Sequence, residues 1–496
     1  MDYSQLNQLA GANTAVSIFL QAENSPKVLS GVNHVQKLGA LLKEPGYFRV
    51  GDVASAAKAV TGLYNFKQSS SIQKILRTKN NDAGTNLLLQ YNNAGTWTNI
   101  NVGTTYDAFE DCATEMETFI GYCFIVGYDA TDAVYLPVAS LTGTTFSTSI
   151  SVTSMPQAKY IKRYRDRLYL ANCRYSGTTY EYRIYFSSVP TAGAITWTPA
   201  TDYIDVDFGE ALTGLGTNWD RLAAFTENSC YMYDQTSFKK VFDIGCANGR
   251  TIQTKGSYMF WCDYDGVWVS TGGQPQNISG PVQDFIRNGS PRDFFATIVD
   301  EEYKLYVGTV TVDGETWTNC ELIFSIATST WRWRELGHAM SVYAQFNSSG
   351  KIRHYMGSSV GEVWDRSKYT DATVYGSDGW ISASDTGLPI SANFELAPFF
   401  IDTLSKDKGI KQLIAFAERG QGLNLRYRII DRNLKALTPY RPLGQLKDYM
   451  TVLDISSAAN GVMLQVAGNE YSQNPYFSFY GYSLEIQPIS KTLKDA

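Results

Sequence analysis

Three features of this 496-residue chain predict an all-β fold. Aromatic residues reach 14% while charged residues stop at 18%, below the ~25% of ordinary soluble domains. Glycine occurs 41 times and tyrosine 33 times. The apolar residues fall in short runs between tight polar turns, not at helical spacing.

The stretch from Thr217 to Ser279 shows this grammar most plainly, because it says the same thing twice. A run from Arg221 to Phe225 turns at Glu227-Asn228-Ser229 into Cys230 to Tyr233, and Lys239 to Val241 follows. A run from Ser257 to Cys262 turns at Asp263-Tyr264-Asp265-Gly266 into Val267 to Val269, and Pro275 to Ser279 follows. Asp-Gly supplies the backbone geometry that the twist of flanking strands demands. One short-stranded meander after another is the pattern of β-propeller blades.

In chain order, residues 1–40 carry no compact pattern and are expected to form an extended N-terminal arm. Ile18, Phe19 and Leu20, with Val28-Leu29, are placed there as edge strands that dock on the chain's own domain or on a neighbouring copy. Residues 41–400 carry the meanders. Gly62–Phe66 reads as an inner strand, followed by strands at Ile72–Lys79, Asn86–Tyr91 and Thr96–Ile100. One comparable strand per meander begins near Ile72, Tyr122, Leu168, Leu222, Tyr258, Leu305 and Ile352, at intervals of 36 to 54 residues. That is near the ~40–50 residues of a propeller blade, so about seven blades are expected.

The third meander holds strands at Arg167–Ala171 and Tyr182–Phe186. The sixth holds Lys304–Val307 and Cys320–Ser325 and closes with Thr330–Glu335. The seventh holds Ile352–Met356 and Val360–Trp364, and Ser391–Ala397 is assigned to the last blade or to the crossover that follows. After the charged break at Lys406–Lys411, residues 401–496 contain longer alternating strands: Gln412–Ala417, Leu423–Ile430, Tyr449–Ile455, Gly461–Val466 and Phe477–Ile489. They predict a jelly-roll-like β-sandwich.

Composition narrows the chemistry. A net charge of -6 argues against a generally nucleic-acid-binding chain. Seven cysteines, none in a C-x-x-C pair, lie inside expected strands and read as reduced, packed thiols. Histidine occurs only at 34, 338 and 354, which argues against the clustered Cys and His of a zinc site and offers little from which to build a nucleophile–His–acid triad. The first basic residue is Lys27 and the apolar run Ala15–Leu20 is short, so no export signal is read. No run approaches the ~20 residues of a membrane helix. A soluble protein that is not exported and has no membrane segment is expected.

Several residue clusters suggest sites, and each also has a plainer reading. The densest basic run holds Lys159, Lys162, Arg163 and Arg165 among tyrosines. Such a mixture can track a nucleic-acid backbone, yet strand alternation sends Lys162 and Tyr164 to one face and Arg163 and Arg165 to the other. A solvated blade edge is the plainer reading. Asp205 and Asp207, near Asp202, offer hard oxygens for Ca²⁺ but too few of them. Trp331, Trp333 and Trp364 could stack sugars, and blade-core packing explains them as well.

Propeller glycosidases need paired carboxylates or a related nucleophile, and their Asp-box turns read Asp-x-Gly. Here Asp265-Gly266, Asp313-Gly314 and Asp378-Gly379 are adjacent, as in ordinary turns. No Walker P-loop, H-E-x-x-H or G-x-S-x-G is present. No catalytic residue, metal or cofactor is expected.

Five segments together resemble a known family. They are Gly39–Tyr47 after the arm, Lys159–Ile161 with Asp166–Leu170, Tyr182–Ser188, Asp220–Asn228, and the closing Asn474–Pro488. The pattern, spread over nearly the whole chain, is similar to virion β-propeller proteins of tailed bacteriophages, above all the packaged-DNA stabilisation and tail-nozzle (tail hub) proteins of short-tailed phages. The resemblance implies a non-enzymatic homo-oligomeric ring, usually of six, below portal and adaptor in the virion tail. Such a ring continues the DNA channel and retains the packaged double-stranded DNA until ejection, with portal, adaptor and other tail proteins as partners. Lys159, Lys162, Arg163 and Arg165 would then be nucleic-acid or channel contacts, and Ile18, Phe19 and Leu20 contacts between copies. The alternatives are a receptor- or glycan-binding tail-tip propeller and, more distantly, a sialidase-like glycosidase.

Overall fold

The computed structural model describes residues 2–5, 34–37, 40–43, 47–51, 57–69, 72–81, 83–93, 95–100, 109, 112–130, 133–136, 139–142, 145–147, 152–206, 210–312, 314–348, 351–366, 393–395, 399–400, 408–418, 423–430, 436–447, 449–459, 461–468 and 478–488. Two compact units divide the chain: residues 48–321 with 336–368, and residues 1–47, 322–335 and 369–496.

The fold is an all-β propeller with a C-terminal β-sandwich. Among the described residues, seven small antiparallel sheets follow one another in sequence. Blade 1 comprises Val60–Lys67, Gln73–Asn80, Leu87–Asn93 and Thr96–Asn99. Blade 2 comprises Ala113–Phe119 and Tyr122–Asp129, with Val134–Tyr135, Ala139–Thr142 and Thr145–Ser147 beyond them. Blade 3 is Gln157–Tyr164, Arg167–Tyr175, Thr178–Phe186 and Tyr203–Asp205; blade 4 is Leu212–Asn218, Arg221–Thr226, Cys230–Tyr233 and Phe238–Phe242. Blade 5 is Gln253–Lys255, Tyr258–Cys262, Val267–Ser270 and Gln276–Asn277; blade 6 is Phe295–Val299, Glu302–Val312, Glu315–Ser325 and Thr330–Glu335. Blade 7 is Met340–Ser348, Lys351–Ser358 and Val363–Asp365, completed by Phe48–Arg49 from the other end of the chain. The strands picked out by sequence near Ile72, Tyr122, Leu168, Leu222, Tyr258, Leu305 and Ile352 are the second strands of the seven blades.

The first strand of each blade lies beside the first strand of the next, and that of blade 7 beside that of blade 1. The ring is therefore closed. Two-residue loops join the first two strands of blades 2 to 6, and they carry positive φ at Ile120-Gly121, Arg165, Trp219-Asp220, Gly256 and Asp300-Glu301. Positive φ is the geometry that lets a two-residue hairpin follow strand twist. Between blades 4 and 5, Phe225, Cys230, Cys246, Met259 and Trp261 form one apolar cluster, with the Phe225 and Trp261 rings 5.3 Å apart. All seven cysteines are buried and none is in a disulfide, and burial pushes the thiols of Cys123, Cys230 and Cys262 far above their ordinary range. They serve as small apolar fillers.

Two boundaries differ from the sequence expectation. The propeller does not run unbroken from 41 to 400. Its last strand in sequence is Val363–Asp365, and Phe48–Arg49 pairs with it from the N-terminal side. The strands Asn393–Glu395 and Phe399–Phe400 pair instead with Gly461–Gly468 of the sandwich. The described parts of the expected arm are not free either: Asp2–Gln5 and Ala40–Lys43 pair with Ser478–Pro488, and His34–Lys37 pairs with Ala40–Lys43. Backbone pairing drove both results, since an extended segment gains a ladder of hydrogen bonds wherever an edge is open. Ile18, Phe19 and Leu20 lie outside the described residues.

The sandwich consists of two sheets. One holds Lys408–Glu418 between Tyr449–Ala459 and Ser478–Pro488, and the other holds Leu423–Ile430 between Arg441–Gln445 and Gly461–Gly468. Alternate residues turn inward: Leu413, Ala415 and Ala417 in the first sheet, and Leu423, Leu425, Tyr427 and Ile429 in the second, are buried. Period-two burial of this kind fits a sheet with one face on a core.

Closure of blade 7 yields a testable outcome. The Val50 N–H donates to the Val363 carbonyl at 2.7 Å, and Arg49 pairs with Glu362 at 3.4 Å. Val50→Pro removes that donor and should cost roughly 1–3 kcal/mol. Hydrogen exchange should show faster exchange across Val363–Asp365 while blades 3 and 4 stay protected, with Val50→Ala as the control.

Candidate functional site

The seven inner strands leave a cavity of about 520 Å³ on the propeller axis, lined by residues from every blade. This volume lies within the ~300–1,000 Å³ range of small-molecule sites. Its lining follows from strand alternation. Glu115 and Glu117 are two apart on Ala113–Phe119 and so share a face, while Met116 between them packs into the core with blade 1. Lys162 comes from blade 3, Thr217 from blade 4, Gln253 from blade 5, Thr297 from blade 6 and Gln345 from blade 7.

Arg250 crosses the axis. It sits on the 3-10 turn Gly249–Thr251, whose start is capped by the Asn248 side chain accepting from the Arg250 N–H at 3.0 Å. Its Nη2 donates to the Thr61 carbonyl at 2.9 Å and the Thr114 carbonyl at 3.4 Å. One guanidinium thus ties blade 5 to blades 1 and 2. The surroundings are tight because side chains are missing there: a Cβ on Gly249 would lie 2.7 Å from the Gly214 Cα, and a Cβ on Gly62 would overlap the Thr114 hydroxyl. Toward the opposite end of the inner strands Asn347 and Ile352 line the cavity, and Ile352 is 38% exposed.

The charged groups inside are strongly perturbed. Burial raises the carboxyl pKa of Glu115 above the ordinary range, against the Ile161 N–H, which donates to its Oε2 at 3.0 Å, and against the Arg250 charge. Burial likewise raises Glu117, opposed by the Lys162 charge and by backbone N–H groups of Arg163 and Thr118. Burial lowers Arg250 in turn, opposed chiefly by Glu115. Tyr64 is locked in place, its hydroxyl donating to Thr118 Oγ1 at 2.9 Å and accepting from the Thr118 N–H at 2.7 Å. The cavity therefore holds two carboxyls, an ammonium, a guanidinium and several amides and hydroxyls in low dielectric. Such a set can bind polar groups by many hydrogen bonds.

The basic run considered as a nucleic-acid or channel contact is divided among different surroundings. Lys162 faces the axis. Lys159 sits with its ammonium 3.8 Å from the Tyr128 ring centroid, and burial lowers its pKa. Arg163 is exposed and lies 5.3 Å from the Phe119 ring centroid. Arg165, on the hairpin turn, is ion-paired with Asp220 and donates to Gln235 Oε1 at 2.8 Å. Of the carboxylates considered for Ca²⁺, Asp205 is paired with Arg183, and Asp207 lies outside the described residues. Among the described residues no group of three or more His, Cys, Asp or Glu is placed to hold a metal ion.

Trp331, Trp333 and Trp364 are at most 2% exposed and belong to the core. Asp263 closes its turn by accepting from the N–H groups of Asp265 and Gly266, each at 2.8 Å; Asp313 and Asp378 lie outside the described residues. Sequence reading missed Glu115, Glu117 and Arg250. The Glu-Met-Glu alternation at the start of a meander was an available signal for the first two. Nothing local marks Arg250, whose partners are 136 and 189 residues away.

No family model matches the chain, and no curated protein matches it. Among solved structures, the chain is similar to the extracellular domain of the putative one-component system BT4673 from B. thetaiotaomicron, at 8% identity and a TM-score of 0.41 over 64% of this chain; it spans 39% of that one. It is also similar to the AfRom2 CNH domain, at 10% identity and a TM-score of 0.38, covering 64% of this chain and 97% of that one. BBS1N, in its complex with ARL6DN, is similar at 8% identity and a TM-score of 0.40, covering 65% of this chain and 96% of that one.

Two outcomes follow from the axial charges. Arg250→Met should lower stability by roughly 1.5–3 kcal/mol, the range for hydrogen bonds from a charged donor, as read by urea denaturation. For Glu115 and Glu117 the folded pKa lies above the unfolded value of about 4.3. In the interval between the two values the native state holds protons that the unfolded chain has released, so stability falls as pH rises through it and is recovered below. Glu117→Gln should therefore exceed the wild type in stability at about pH 8, with the gap closing toward about pH 4.

Proposed function

We propose that this chain is a structural, non-enzymatic virion protein of a tailed phage that assembles into a cyclic ring, in the manner of tail-nozzle proteins. The observation that carries the reading is an uncovered apolar edge. Tyr449–Ala459 is the outer strand of its sheet, and Tyr449, Met450 and Val452 on it are 78%, 56% and 47% exposed. A long edge strand with large apolar side chains invites pairing or aggregation unless another chain covers it. Repetition of one heterologous contact around a rotation axis covers every copy and closes a ring.

In this reading DNA passes between copies, because Arg250 closes each propeller's own axis. The net charge of -6 suits a conduit, since tight phosphate contacts would slow a moving duplex. Among the described residues no helix is long and apolar enough to cross a membrane.

The test is the mass and place of the assembly. Purified chain should sediment at a multiple of 55.1 kDa, and Tyr449→Asp with Val452→Asp should shift it to the single-chain mass without lowering its melting temperature. In phage particles carrying the chain, cryo-electron microscopy should show a closed ring coaxial with the portal. Density confined to peripheral appendages, or a monomer at all concentrations, would overturn the proposal.

A further inference from the structure

We propose that the axial cavity of the propeller is a binding site for a small neutral polyhydroxylated molecule, a monosaccharide or a polyol of similar size. Four observations lead there. The cavity, at about 520 Å³, has the size of a small-ligand site. Exposed Ile352 is part of its lining, and Arg250 reaches across to Thr61 and Thr114.

Its formal charges cancel. Glu115 and Glu117 oppose Lys162 and Arg250 within the same lining. A charged ligand would leave that balance uncompensated; a neutral one would not. Phosphorylated and sialylated compounds and polyamines are disfavoured on that ground.

The lining also has the hydrogen-bonding character that hydroxyl groups need. The Ile161 N–H occupies one lone pair of Glu115, and an ionised carboxylate offers about four acceptor sites, so acceptors remain for ligand hydroxyls. Gln253 adds a side-chain amide that both donates and accepts, and Gln345, whose Nε2 donates to the Ile298 carbonyl at 2.6 Å, adds its amide oxygen as an acceptor. Tyr64 contributes a ring whose hydroxyl is already engaged with Thr118, which leaves its apolar body as the contribution to the lining. A pair of carboxylates, planar amides and an aromatic surface matches the alternation of hydroxyl and C–H faces on a sugar ring. The site uses residues distant in sequence from Tyr449, Met450 and Val452, so it stands or falls apart from the ring assembly.

The experiment is ligand-observed saturation-transfer NMR on the full chain. The probes are D-glucose, D-galactose, N-acetylglucosamine and myo-inositol, with N-acetylneuraminic acid and spermidine as anionic and cationic comparators. At least one neutral probe should receive saturation, and it should outcompete both charged comparators. Gln253→Leu and Glu117→Gln, each checked for wild-type circular dichroism, should weaken that binding roughly tenfold or more, as expected when a buried hydrogen-bonding partner is lost.

Absence of transfer to every neutral probe would overturn the proposal, as would preference for a charged comparator. Binding undiminished in both variants would place the ligand elsewhere and would overturn it equally. The oligomeric mass, measured on the same samples, reports separately on ring assembly.

Discussion

Blade 7 takes its outer strand from Phe48–Arg49, and its inner strand lies beside that of blade 1. On those two contacts the remaining blades depend. Each sheet buries its faces only against the sheets before and after it, so an open ring would leave two apolar faces in water. The hydrophobic cluster of Val60, Leu63, Ile75, Trp97, Val342, Tyr355 and Val363 sits at this seam and joins blade 1 to blade 7. Closure of the chain and closure of the core are therefore one event, although more than 300 residues separate Val50 from its partner Val363.

Ring closure also creates the polar axis. Seven inner strands converge until backbone meets backbone, and glycines at 62, 214 and 249 allow that approach where any side chain would collide. Beyond that approach the inner strands enclose the polar cavity. Side chains that face this space lose hydration without gaining an apolar core, and Glu115, Glu117 and Arg250 show the consequence in their shifted ionisation. Arg250 answers part of the problem by bonding to backbone carbonyls of two blades on its far side. Charges elsewhere follow a simpler rule. Arg183 is paired with Asp205 within blade 3 and stacked 3.7 Å from the Tyr203 ring centroid, while Arg165 is paired with Asp220 and ties the first hairpin of blade 3 to that of blade 4.

Much of the architecture is legible in the sequence because its signals are local. Polar turns such as Glu227-Asn228-Ser229 and Asp263-Tyr264-Asp265-Gly266, flanked by short apolar runs, mark hairpins without reference to anything distant. Their recurrence sets the number of blades, and the longer alternating strands after residue 408 announce a different unit. Burial of the seven cysteines and of Trp331, Trp333 and Trp364 follows from their place in such runs.

What the sequence does not determine is which distant edge an extended segment will complete. Phe48–Arg49 could have paired with any open strand of suitable register, and Ala40–Lys43, only a few residues earlier, pairs with Ser478–Pro488 instead. The same limit governs the axis. Glu115 and Glu117 announce an alternating strand, yet their shared cavity with Lys162 and Arg250 exists only once seven blades have closed. Local propensity and turn chemistry act between neighbours and can be read from the chain. Edge pairing and axial convergence act between residues hundreds of positions apart, and tertiary structure alone decides them.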